Sequence, residues 1–333
     1  ISLFLRCSLA RRHRRNCGHM RGQARLSALL SRVKPLFVPS TTKAGRWVHT
    51  EAVDGFGGNN ASFYETTRPG YPAHALRAIE AEIRRSGLTG SGELLVDLGA
   101  GTGKFTREIL PFALSEGLSL VGVEPVKAMR DQFEAAVPGV QIVEGAGEAI
   151  PIPDSSARAL VAAQSFHWMS SVVTLREVHR VLVPGGLFAL VWNTRDCTRP
   201  WVRALEDIID PFYGDDVPRQ HGGSWRQSFR DLEQSRLDKR PANGQKYRSF
   251  FGGLTEQHFK HSELLTLEEL EGRMRSISVI ATRPEPERAD ASLRAQRLVE
   301  THPDTRDGLR LSGRVELFYD TEVYWCNKTS LCE

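Results

Sequence analysis

Between residues 93 and 193 short apolar runs alternate with helical stretches, and this alternation limits the fold of the 333-residue chain more than any other feature. ELLVDLG (93–99), LSLVGVE (118–124), VQIVEG (140–145), RALVAAQS (158–165) and LFALVWN (187–193) read as buried strands. Residues 73–86, 102–116, 126–137 and 169–182 read as helices, and Pro184-Gly185-Gly186 as a turn into the fifth strand. Consecutive parallel strands need a crossover, and helices supply it, so the pattern predicts a parallel sheet covered on both faces. Right-handed crossovers then line up the carboxyl ends of the strands, where ligands of such sheets bind.

Beyond residue 193 the pattern changes. Residues 200–212 read as helical, 254–261 and 315–326 as strands, and 266–277 and 287–300 as helices between them. Residues 213–246 are polar with scattered aromatics, and read either as a lid over a site or as a surface insertion. The expected architecture is Rossmann-like: a doubly wound, mostly parallel seven-stranded sheet with helices on both faces. An antiparallel strand lies at one edge, and a cap (194–250) is inserted between strands five and six. One domain spans 51–328, entered through the flexible-looking GFGGNN at 55–60.

The net charge of +4 hides an asymmetry. Residues 1–50 hold nine Arg, two Lys and no acidic residue, which leaves 33 basic against 40 acidic residues in the remainder. That body is mildly acidic and predicts no broad nucleic-acid-binding face. In the leader, Leu26, Leu29, Leu30 and Val33 share one helical face and Arg21, Arg25 and Arg32 another. It reads either as a mitochondrial transit peptide or as a disordered basic tail, so the expected location is the cytoplasm or the mitochondrial matrix. No run is long enough to span a bilayer. Five cysteines (Cys7, Cys17, Cys197, Cys326 and Cys332) match no metal or redox spacing and suggest free thiols in a reducing compartment.

At the end of the first strand stands DLGAGTGKFT. Gly99, Gly101 and Gly103 on alternate positions suggest a turn that a ligand approaches closely, with the following helix N-terminus favouring a negative group. The spacing is GxGxG, not the GxGxxG of dinucleotide sites. Glu124 ends the second strand, 25 residues after Gly99, where a carboxylate can accept hydrogen bonds from two ribose hydroxyls.

VDLGAGTGKFT, VGVEPV, EGAGEAIPIPDSS, AAQSFHWM and REVHRVLVPGGLFALVWN, in this order, resemble the motifs of class I S-adenosylmethionine-dependent methyltransferases. YETTRPGYP (64–72), RSISVIATRPEPER and VELFYDTEVYWC resemble segments of the small-molecule, type 11 branch that includes trans-aconitate methyltransferases. The resemblance covers about residues 50–328 and implies S-adenosylmethionine as cofactor and a small-molecule acceptor, with a carboxylate among the candidate acceptor groups. It implies that Gly99, Gly101, Thr102 and Gly103 lie under the methionine end, that Asp97 orients the loop or the amino group, and that Glu124 holds the ribose. Ala146, Gly147 and Glu148 frame the adenine, Gln164 faces the methionine moiety, and Tyr64 and Arg68 close over the cofactor. Two positions depart from the family: Arg158 replaces a frequent acid, and Ala146-Gly147 replaces Asp-Ala, leaving adenine contacts to backbone groups.

The sulfonium methyl is already activated, so alignment and exclusion of water supply much of the catalysis and no metal is expected. His167, just after the fourth strand, is the candidate base, set against the simpler role of shaping the pocket floor with Trp168. Arg68, Arg195 and Arg199 are candidate partners of an acidic substrate. Two rival readings are a nicotinamide-dependent oxidoreductase, which the glycine spacing opposes, and a non-catalytic binding protein of the same fold. Oligomeric state is left unassigned.

Overall fold

A computed structural model describes residues 67–86, 94–214, 217–220, 222–237 and 249–329. The basic leader, the GFGGNN joint and Tyr64 lie outside the described residues. The elements run α1 (Ala73–Arg85), β1 (Leu94–Leu98), α2 (Lys104–Ser115), β2 (Ser119–Val123), α3 (Lys127–Ala136), β3 (Gln141–Val143), β4 (Ala157–Ala163), α4 (Val172–Val181) and β5 (Leu182–Arg195). There follow α5 (Pro200–Ile209), α6 (Arg226–Leu237), β6 (Thr255–Leu265), α7 (Leu267–Arg275), α8 (Ser278–Ala281), α9 (Glu285–Thr301), α10 (Arg306–Ser312) and β7 (Val315–Asn327).

The seven strands form one sheet in the order β3-β2-β1-β4-β5-β7-β6. β1 to β5 are mutually parallel, and β7 runs antiparallel between β5 and β6. This is the expected Rossmann-like, doubly wound architecture, except that the antiparallel strand β7 lies one place in from the edge, which β6 forms. The strand order reverses between β1 and β4, which places a crevice at their carboxyl ends.

Alternate residues of each strand enter different cores, as the two-residue period requires. Leu94, Val96 and Leu98 of β1, with Phe188, Leu190 and Trp192 of β5, pack beneath α4 and α6. Leu95, Leu187, Ala189 and Val191 pack on the opposite face against Ile79 of α1, Ile109 of α2 and Phe133 of α3. A third core joins α5, α7, α8 and α9 to Leu317 and Tyr319 of β7. α7 starts with a capping box in which the Thr266 side chain accepts from the Glu269 N–H at 3.1 Å and Glu269 returns a bond to the Thr266 N–H at 2.7 Å.

Two expectations change. Pro184-Gly185-Gly186 is not a turn before β5 but an irregularity within it: Ala157 pairs with Leu182, and Ala159 already pairs with Leu187. Gly185, at φ 74°, absorbs the extra residues. Residues 213–246 contain α6, which lies on the sheet face shared with α4. Trp225 anchors this segment at 1% exposure, with ring centroids 5.1 Å from Trp192 and 5.0 Å from Tyr324. Replacing Trp225 by Ala should destabilise the protein by about 3–5 kcal/mol, the cost of emptying a large aromatic site. Leu311→Ala, at a side chain 89% exposed, should stay within about 0.5 kcal/mol. Denaturant unfolding of the two variants provides the comparison.

Candidate active site

The cavity opens where the strand order reverses. Its lining includes Asp97, Gly99, Gly101, Thr102, Glu124, Ala146, Gly147, Glu148 and Gln164, and also Arg68. The sequence thus brings residues from five separate segments to one place. The cavity encloses about 1440 Å³ of empty space, its open mouth included.

The three glycines do not all serve the same need. A Cβ on Gly99 would stand 2.5 Å from Ser165 Cβ, and one on Gly103 would stand 2.6 Å from Val137 Cγ2 and 2.8 Å from Phe133 Cδ2. These two glycines let the loop pack against its own protein. A Cβ on Gly101 would meet nothing within 4 Å, although its φ of +56° disfavours a side chain. Gly101 alone has its hydrogen-only face open to the cavity. Gly103 does not line the cavity; it serves as the left-handed N-cap of α2, at φ 86°.

Glu124 clamps this loop. One oxygen accepts from the Gly101 N–H at 2.9 Å and the other from the Val126 N–H at 2.9 Å. The Gly99 and Ala100 N–H groups reach Val123 O at 2.8 and 3.1 Å, tying the loop to the end of β2. Burial raises the Glu124 carboxyl above its ordinary range, against the two N–H donors and Arg130, which lower it. Each oxygen keeps a lone pair for a ligand hydroxyl.

Asp97 is 1% exposed. Its Oδ2 accepts from the Thr106 hydroxyl at 2.5 Å, while Oδ1 is buried with no hydrogen-bond partner. Burial, with a smaller contribution from the Glu124 charge, moves its pKa from 3.8 to about 7. Glu148 Oε2 is likewise buried without a hydrogen-bond partner, and burial raises its pKa too. The departure at Ala146-Gly147 has a packing reason: a Cβ on Gly147 would lie 2.6 Å from Met169 Sδ and 2.9 Å from Thr174 Cγ2. Gln164 sits in left-handed backbone at φ 58°, its N–H bonded to Val191 O at 2.7 Å. Strained non-glycine backbone of this kind concentrates at functional sites.

His167, the candidate base, is not among the residues that line the cavity. Its Nδ1 accepts from Trp192 Nε1 at 3.1 Å, so a neutral ring carries its proton on Nε2, in donor form. Trp168 does line the cavity. Arg195 also lines it and is ion-paired with Glu206. Arg199 lies elsewhere, with its guanidinium 4.4 Å from the Phe318 ring centroid. None of the described residues of 213–246 lines the cavity; the cover is built by α5, α7 and the segment after it, through Leu205, Leu270, Arg273, Met274 and Ile277. Asn193, Arg273 and Tyr319 are cavity residues that the motif reading passed over.

A methyltransferase-domain family model matches residues 96–190. A methyltransferase-like protein of Schizosaccharomyces pombe is 31% identical over 265 residues, covering 80% of this chain and 92% of that protein. A second methyltransferase of the same yeast is 27% identical over 240 residues, 72% of this chain and 85% of its own length. A methyltransferase of Mycobacterium tuberculosis is 40% identical over 153 residues, which span 46% of this chain and 58% of that protein.

The Asp97 carboxyl gives a pH test. An acid with a higher pKa when folded keeps its proton where the unfolded chain has already lost it. The unfolded state then binds fewer protons, so this group lowers stability as pH rises from 3.8 to about 7. The slope is at most about 1.4 kcal/mol per pH unit. Asp97→Asn should flatten the pH dependence of the unfolding free energy over this window relative to the parent.

Proposed function

Because the chain belongs to the class I methyltransferase family, we propose that it binds S-adenosylmethionine over the β1–α2 loop and methylates a small molecule. The observation that carries this reading is an unsatisfied buried carboxylate oxygen, Asp97 Oδ1, in the same cavity as the open face of Gly101. An orphaned anion is costly unless a ligand completes it, and the cofactor brings an ammonium group. Glu124, with lone pairs to spare, suits a ribose diol. Glu148 Oε2 and the backbone at Ala146 and Gly147 suit an adenine edge.

When bound, S-adenosylmethionine supplies an electrophilic methyl group for in-line displacement. The chain's part is to bind, align and exclude water. Glu124 holds the loop in place, Gln164 presents its amide from a fixed backbone, and α5 and α7 cover the acceptor side. A carboxylate or another acceptor that arrives ionised needs no base. This agrees with a His167 that lies off the cavity and offers a proton rather than a lone pair.

Calorimetric titration of the full chain with S-adenosylhomocysteine, with NAD as the control, tests the assignment. Binding of the first alone supports it, and failure of a folded protein to bind S-adenosylhomocysteine refutes it. Gly101→Val should abolish that binding by filling the open face, while the strained φ costs about 1–2 kcal/mol of stability. Pairing with an ammonium group requires ionised Asp97. Affinity for S-adenosylhomocysteine should therefore rise by up to about tenfold per pH unit below pH 7 and level off above it. Asp97→Asn should bind more weakly and lose this dependence.

A further inference from the structure

The acceptor side of the cavity is organised around one phenol. Tyr319 on β7 stands opposite Arg195 on β5 and His261 on β6, so the three side chains leave the sheet on the same face. The His261 ring stacks on that of Tyr319, with centroids 5.2 Å apart and planes at 20°. Arg273 of α7 donates from Nη1 to the phenol oxygen at 2.6 Å and is ion-paired with Glu263.

A phenol offers one good in-plane acceptor position and one proton. Here the guanidinium occupies the acceptor position. No group among the described residues takes the proton, although Tyr319 is only 3% exposed. Buried hydroxyls are almost always satisfied. Tyr319 lines the cavity, so a molecule bound there can accept this proton.

The surroundings narrow the class of that molecule. Leu205, Leu270, Met274, Ile277 and Leu317 supply apolar lining on this side. Arg195 and Arg273 bring positive charge to it, each already matched by one carboxylate, Glu206 and Glu263. A cationic head would meet two guanidinium groups and a hydroxyl proton, all of the wrong polarity. A molecule with many negative groups would face an apolar wall and guanidinium groups that already have partners: Arg195 and Arg273 are ion-paired, and Arg68, also in the lining, donates to Ser276 O at 2.8 Å.

We propose that Tyr319 selects the methyl acceptor by donating its hydroxyl proton to a single anionic oxygen head on an otherwise apolar molecule. Arg273 is the positioning residue: by holding the acceptor side of the phenol, it turns the proton toward the substrate. The inference rests on the methyltransferase reading above, and deepens it by naming the class of acceptor.

Ligand-observed NMR on the full chain saturated with S-adenosylhomocysteine tests this. The probes are benzoate, phenylacetate and cyclohexanecarboxylate, set against benzylamine and cyclohexylamine. The acids should bind and the amines should not. Tyr319→Phe keeps the ring stacked on His261 and removes only the donor; it should weaken the acids about 10- to 100-fold, the loss of one hydrogen bond to a charged group. Affinity for S-adenosylhomocysteine should stay at the parent value. Arg273→Lys, which keeps the charge but loses the fork geometry, should weaken the same acids to a smaller degree. The proposal is overturned if no acid binds, if the amines bind as tightly as the acids, or if Tyr319→Phe binds the acids like the parent. Failure of S-adenosylhomocysteine itself to bind would appear before any probe is added and would remove the cofactor reading along with this one.

Discussion

Two carboxyl groups buried at the ends of neighbouring strands set the terms for the rest of this molecule. Asp97 closes β1 and Glu124 follows β2; they are 1% and 6% exposed, and each raises the cost of ionising near the other. Such a pair persists only where its oxygens are used. Glu124 spends both oxygens on the N–H groups of Gly101 and Val126, and this fixes the path of the glycine loop. Asp97 is satisfied on one side only, by Thr106. The loop is therefore shaped in advance, while Asp97 Oδ1 stays buried without a hydrogen-bond partner.

The cavity has two walls with separate origins. One is made of strand ends and loops of β1 to β4, where the chain doubles back on itself. The other is made of side chains from β5, β7 and the helices packed on them. The strand period links the two: Asp97, Ala163, Asn193, Arg195 and Tyr319 occupy positions in phase with Leu95, Val161, Val191 and Val323 of a single core. An inserted cap is present, but α6 joins the opposite face and leaves the covering to α5 and α7.

How much of this could be read from the sequence depended on how local the cause was. The strand, turn and helix around Asp97 to Thr106 are written in consecutive residues, and Glu124 lies one crossover away, so the cradle was legible. The α6 segment carried a signal in Trp225, Phe229 and Leu232, which follow a helical spacing, but its polar remainder made them look scattered. Arg273 and Tyr319 had no such signature. They meet because β7 inserts between β5 and β6, a pairing that no short motif encodes. His167 also depends on a nonlocal contact, the bond it accepts from Trp192. Proximity to a strand end brings a residue near a site, but the bond to Trp192 holds this ring on the other side of the chain.

The sheet is also asymmetric in what its margins must do. β3, β2, β1 and β4 carry the glycine loop and the buried carboxyls of Asp97 and Glu124. β7 and β6 lie at the other margin, joined by a long excursion through α7 to α10, which Arg68 meets by donating to Ser276 O. One border of the sheet can therefore be rewritten without disturbing the bonds that hold the glycine loop, and the two margins are separable parts of a single fold.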